Sequence, residues 1–198
     1  MRCMSCTRIC IKPICSKCEA IYLKPEMLEK EVANLEVISF FDYYLISELV
    51  KTKYFLNGYR FYKYIAKKYF NPFIKSYIDS YEGDKDIYII GVDENVKRGY
   101  SNISSLVHYG SKNSGAKAIH NVLKAKNSIQ YAGKSLEYRL NNPRDFKYTG
   151  PKNIDVILID DVVTTGTTLE EAIRVLNENG VNIHFALTVA NATDGLDY

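Results

Sequence analysis

Val156-Ile157-Leu158-Ile159-Asp160-Asp161-Val162-Val163-Thr164-Thr165-Gly166-Thr167-Thr168 decides the reading of this chain. An apolar run suited to a buried strand, expected over residues 155–159, meets two carboxylates and then a hydroxyl-rich turn that opens a helix. In open α/β sheets, ligands gather beyond the carboxyl ends of the strands. The start of a helix offers unpaired N–H groups and a positive dipole end, which suit a phosphate. Gly166 lets the backbone approach an anion closely. Thr164, Thr165, Thr167 and Thr168 add hydroxyl donors without adding charge. Asp160 and Asp161 would repel that phosphate, so they must face a polar uncharged group or a cation. A sugar diol, or a metal-bound polyol, fits. A helix cap usually needs one acidic residue; two acids and four threonines around a glycine exceed that need.

Outward from this stretch, helices and strands alternate. Leu169, Ala172, Ile173 and Leu176 recur at helical spacing up to Gly180, and Val181, Ile183, Phe185, Leu187 and Val189 alternate as in a strand. Upstream, residues 37–43 and 87–92 read as strands, and 119–123 as another. Residues 46–81 read as helical, interrupted near Asn57-Gly58 and Asn71-Pro72, and Ser101 caps a helix running towards Tyr109. Residues 24–34 read as a linker or short helix. Residues 124–150 are read as a long, partly mobile excursion with a short helix near 135–140. The pattern implies an α/β fold with a mostly parallel sheet flanked by helices.

The 198 residues suit one domain plus a small appendage, and their composition is globular: 46% hydrophobic, 25% charged. A net charge of +3 does not by itself indicate a nucleic-acid partner. No apolar run approaches the ~18 residues of a membrane span, and the start lacks the features of a signal peptide. The expected location is the cytoplasm, without membrane insertion.

The Asp160–Thr168 stretch resembles the 5-phosphoribosyl-1-pyrophosphate (PRPP) motif of type I phosphoribosyltransferases: apolar strand, two acids, Thr-Thr-Gly-x-Thr. The resemblance implies that Asp160 and Asp161 hold the ribose hydroxyls, while Val163, Thr164, Thr165, Gly166, Thr167 and Thr168 wrap the 5′-phosphate. It also implies Mg2+ accompanying PRPP and release of pyrophosphate.

All five cysteines lie between residues 3 and 18. Cys3-x-x-Cys6 and Cys15-x-x-Cys18 form two knuckles that can surround one Zn2+ ion in a closed structural site, leaving Cys10 outside it. An iron–sulfur cluster is the lesser alternative. Residues 1–22 are thus expected to form a zinc-knuckle module ahead of a phosphoribosyltransferase-like domain over 35–198. Together these features resemble the ComF family, competence proteins of DNA uptake in natural transformation. Lys53-Tyr54-Phe55-Leu56-Asn57-Gly58, Lys97-Arg98-Gly99-Tyr100-Ser101-Asn102, and Gln130 to Ser135 with Arg139 and Asn142 resemble further stretches of that family. The resemblance implies PRPP, single-stranded DNA and other DNA-uptake proteins as partners.

Three further sets of residues bear on function. The loop expected to bind pyrophosphate carries Lys97 and Arg98, but also Asp93 and Glu94, which are unfavourable beside that anion unless magnesium intervenes. Lys124 and Lys126 sit on an excursion that could close as a lid or lie as a surface loop. Finally, seven basic residues fall between Lys51 and Ile78 with no acid among them. Lys51, Lys53, Arg60, Lys63, Lys67 and Lys68, interleaved with aromatics, supply what single-stranded nucleic acid needs. Phe61, Ile65 and Tyr69 also recur at the spacing of an aromatic helix face packed into a core. His108, His120 and His184 lack ligand spacing, and His184 is expected to be structural.

Overall fold

A computed structural model describes residues 1–96, 99–127 and 136–192. In chain order the elements are α1 (Ser16–Tyr22), β1 (Leu28–Val32), β2 (Leu35–Asp42), α2 (Tyr43–Val50), α3 (Tyr59–Ile65) and α4 (Asn71–Ser80). They continue with β3 (Ile87–Gly91), α5 (Asn102–Ser111), β4 (Lys117–Ile119), β5 (Leu123–Ala125), α6 (Leu136–Asn141) and β6 (Phe146–Tyr148). The chain closes on β7 (Asp155–Val163), α7 (Thr167–Glu178) and β8 (Asn182–Asn191). Six strands form one sheet in the order β1-β2-β8-β7-β3-β4, and β5 pairs with β6 in a separate ribbon. Every neighbouring pair of the large sheet is parallel except β1–β2. The expected α/β architecture is present.

β7 is central and nearly all apolar because both of its faces are covered. Ile157 and Ile159 pack with Ile89, Phe185 and Leu187 under α3, α4 and α5. Val156 and Leu158 pack with Leu169, Ala172, Ile173 and Leu176 of α7 on the other face. The helical stripe legible in the sequence is therefore the buried face of α7.

Four local expectations are corrected. Residues 24–34 are neither linker nor helix, since Leu28–Val32 is the antiparallel edge strand β1. Ala33 and Asn34, both at positive φ, make its two-residue hairpin turn to β2. Charged residues dominate β1, as suits an edge strand that must not recruit further strands. The expected strand at 119–123 is instead the end of β4 and the start of β5, separated by a turn with Asn121 at φ +61°. Asn71-Pro72 does not break the helical region. A π turn at Ala66–Phe70 leads directly into α4 and leaves Pro72 in its first turn, where a missing N–H costs little. Finally, β7 does not stop at Ile159 but runs on to Val163, because β8 supplies ladder partners as far as Asn191.

Candidate PRPP site and cysteine cluster

The two acids of β7 lie inside the last ladder rungs, with only 8% and 9% of Asp160 and Asp161 exposed. Successive residues of a strand point to opposite faces. Asp161 faces the helical side, where its Oδ2 accepts from Lys53 Nζ at 2.8 Å and from Asn102 Nδ2 at 2.7 Å. Asp160 Oδ1 accepts the backbone N–H of Asp161 at 2.8 Å. Burial first, and the neighbouring Asp161 second, push the Asp160 carboxyl up to about 7, although Arg144 and Lys53 pull the other way. Burial opposes the charge of Lys53, but Asp161 outweighs it and raises the lysine above its ordinary value.

Beyond the acids, the chain turns through Thr164 and Thr165 to Gly166, whose φ of +90° places it as the residue capping α7. No side chain caps this 12-residue helix, so its first N–H groups face outward, as an anion-binding turn requires. A Cβ on Gly166 would lie 2.8 Å from Val32 Cγ2, so both its conformation and the edge hairpin demand glycine here. The hairpin also sends Lys30 Nζ to the carbonyl of Thr164 at 2.7 Å. Thr165 and Thr167 share a hydroxyl–hydroxyl hydrogen bond at 2.9 Å. The strand read as a linker thus braces the Thr164–Gly166 turn from behind.

The loop after β3 resolves the objection raised by its two acids. Glu94 turns inward, 1% exposed, and accepts from the Asn121 backbone N–H at 2.7 Å and from His120 Nδ1 at 3.0 Å. The hydrogen bond to Glu94 raises the His120 pKa against the effect of burial. Asp93, at φ +53°, lies 3.7 Å from Arg144 Nη1 and accepts from the Ala125 N–H at 3.3 Å. Both carboxylates already have partners of this chain. Lys97 and Arg98 lie outside the described residues, as does the tip of the excursion at 128–135.

The base of that excursion is fixed. β5 and β6 pair, and the Arg144 and Phe146 N–H groups donate to the Glu171 carboxylate of α7. Lys124 is exposed on β5, and Lys126 pairs with Asp145 at 2.8 Å.

The basic, aromatic stretch divides. Phe61, Ile65 and Tyr69 are buried, as their helical spacing suggests. Lys53, expected with the nucleic-acid candidates, instead reaches the acid pair. Lys51 pairs with Glu48 at 2.7 Å, Lys68 pairs with Glu19, and Arg60 is partly buried. Lys63 and Lys67 stand over the Tyr109 ring at 4.9 and 5.3 Å.

At the amino terminus, the sulfurs of Cys3, Cys6, Cys15 and Cys18 all lie within 4.8 Å of one another and could hold a metal ion. Cys6 Sγ and Cys15 Sγ are 3.7 Å apart, close to the edge, roughly 3.8 Å, of a tetrahedron with metal–sulfur bonds of about 2.3 Å. Burial raises the Cys3 thiol, but the N–H groups of Cys15, Cys6 and Ser5 prevail and bring it down to about 6. Cys10 stays apart, its thiol donating to the Lys12 carbonyl. Cys3, Ile14, Cys15, Cys18 and Leu23 share one hydrophobic core with the helices.

Arg144 and Lys30 were not singled out from the sequence; Asn102 stood only as the last residue of a family-like stretch, and Glu94 and His120 were each noted without being paired.

The stretch around the motif matches a known family model. Residues 108–197 match the family model of the phosphoribosyl transferase domain. A search of curated proteins returned no match. Among solved structures, the chain is similar to an adenine phosphoribosyltransferase from Leishmania donovani, at 13% identity over 89% of this chain and 68% of that one, with a TM-score of 0.46. The adenine phosphoribosyltransferase of Saccharomyces cerevisiae gives 13% identity, 89% coverage of both chains and a TM-score of 0.44. A hypoxanthine phosphoribosyltransferase from Staphylococcus aureus gives 18% identity over 66% of this chain and a TM-score of 0.38; the match spans 62% of the staphylococcal chain.

Proposed function

We propose that this chain binds magnesium-PRPP and transfers its phosphoribosyl group to a nitrogen nucleophile, releasing pyrophosphate. The observation that carries the reading is one juxtaposition. An acid pair near the carboxyl end of the central strand is followed, five residues after Asp161, by an uncapped helix start with glycine at φ +90°. Asp160 and Asp161 accept from the ribose hydroxyls, and the turn from Val163 to Thr168 donates N–H and O–H groups to the 5′-phosphate. Attack on C1 breaks the bond to pyrophosphate, whose oxygen leaves with the bonding electrons. The buried carboxylates then favour positive charge at C1 in the transition state. Magnesium bound with the substrate would offset the charge of the leaving group.

The four thiolates fit a structural Zn2+ ion, which would stiffen residues 1–22 and leave no open coordination position. Such a thiol cluster also favours a reducing compartment, the cytoplasm. Calorimetric titration with magnesium-PRPP tests the central claim. Saturable binding that Asp161→Ala weakens about a hundredfold is expected, and wild-type protein that takes up no PRPP overturns it.

A second reading, a ComF-like role in DNA uptake, is supported by Lys63 and Lys67, both held over the partly exposed Tyr109 ring. It predicts salt-sensitive binding of single-stranded DNA that is lost when Lys63 and Lys67 become alanine.

A further inference from the structure

We propose that Lys53 is a positioning residue of the PRPP site, clamping one oxygen of Asp161 so that the other is aimed at a ribose hydroxyl. The inference rests on the PRPP reading above and deepens it.

The lysine is built into place. Its side chain is 25% exposed, against 41–61% for the lysines of the other described ion pairs. It projects from a 3-10 turn, Lys51–Tyr54, that three hydrogen bonds hold down. Tyr62 Oη donates to the Val50 carbonyl at 2.9 Å, Thr52 Oγ1 to that of Leu49 at 2.5 Å, and Tyr100 Oη to that of Thr52 at 3.4 Å. A Cβ on Gly58 would lie 2.0 Å from the Thr52 carbonyl oxygen and 2.4 Å from Tyr100 Oη, so the turn closes only over glycine. A group held this firmly by its neighbours can orient the group it touches.

What it touches gives the clamp its effect. Lys53 and Asn102 both donate to Oδ2 of Asp161. Among the described residues, Oδ1 of that carboxylate keeps no hydrogen-bond donor. A carboxylate gripped at one oxygen cannot rotate freely, and it presents its other oxygen as a single directed acceptor. A sugar hydroxyl supplies the donor. The ammonium also cancels one negative charge of a pair that must admit a polyanion.

The clamp therefore acts on selection between a sugar with both hydroxyls and one lacking a hydroxyl. The test compares binding of magnesium-PRPP, ribose 5-phosphate and 2-deoxyribose 5-phosphate to wild type, Lys53→Met and Lys53→Arg. Lys75→Met, which removes an exposed lysine far along the chain, serves as control. Lys53→Met should weaken PRPP roughly tenfold or more and erase the preference for ribose over 2-deoxyribose. Lys53→Arg should restore most of both, and Lys75→Met should change neither. Should circular dichroism show Lys53→Met unfolded, Lys53→Gln carries the same comparison. A wild type that binds PRPP, with a Lys53 variant equally tight and equally selective, overturns the clamp alone. A wild type that binds neither PRPP nor ribose 5-phosphate overturns the PRPP reading and the clamp with it.

Discussion

β7 carries a buried aspartate at each end, and the two ends behave in opposite ways. Asp155 at its start and Asp160 near its finish are 4% and 8% exposed, so both are equally removed from water. Asp155 is surrounded by donors: Asn182 Nδ2, His184 Nε2 at 2.9 Å and Lys85 Nζ at 3.4 Å. Tyr77 Oη extends this chain of contacts to His184 Nδ1 at 2.5 Å. Burial alone would raise the Asp155 carboxyl, but these partners prevail and lower it. Asp160 has a carboxylate beside it instead and stands near 7. Burial sets the cost of a charge and the neighbours decide whether it is met. The Asp155 end, its charge offset by nearby donors and a lysine, is a strut, whereas the Asp160 end, with a second carboxylate beside it, can still receive a ligand.

The largest effect that could break this comparison comes from Asp155→Ala. It should cost about 2–4 kcal/mol in urea unfolding, because Asn182, His184 and Lys85 lose a common partner. PRPP affinity should hardly change. A large loss of affinity with unchanged stability would reverse the assignment of the two ends.

Next comes the dependence on pH, which has opposite signs at the two ends. The lowered Asp155 contributes stability above the ordinary carboxylate range, lost as pH falls through its folded-state value. The raised Asp160 favours the folded state below about pH 4, and that contribution fades as pH rises towards 7. Asp160→Asn should therefore flatten the fall in stability between about pH 4 and 7, a change on the order of 1–3 kcal/mol. Thermal melts across that range would show it.

The smallest effect sharpens the picture. Lys85 is 61% exposed, so its pairing with Asp155 is worth less than about 1 kcal/mol, and Lys85→Met should barely move the melting temperature. A larger loss would mean that the lysine, and not Asn182 with His184, secures that end.

The acid pair and the threonine-glycine turn that opens α7 were legible because they are contiguous. Nine residues from Asp160 to Thr168 carry their own chemistry, and α7 announces itself by the spacing of Leu169, Ala172, Ile173 and Leu176. The four cysteines were legible for the same reason. Lys53 was read instead as one cation in a basic stripe, since nothing within twenty residues of it shows that Asp161 is its partner. β1 was missed because its interior is Glu29-Lys30-Glu31, a composition suited to a solvated edge and equally to a linker. Asp93 and Glu94 looked hostile to pyrophosphate until His120 and Arg144 appeared beside them.

Local order along the chain thus determined the α/β class, the acid pair with its threonine-glycine turn, and the sulfur cluster. Each rests on residues a few positions apart, where spacing dictates geometry. The tertiary structure alone decided which neighbours each buried acid meets, and so whether its carboxyl is lowered or raised. Lys53 meets Asp161 across 108 positions of chain and Lys30 meets Thr164 across 134. Such meetings depend on how the strands are ordered in the sheet, and no periodicity along the chain records that order.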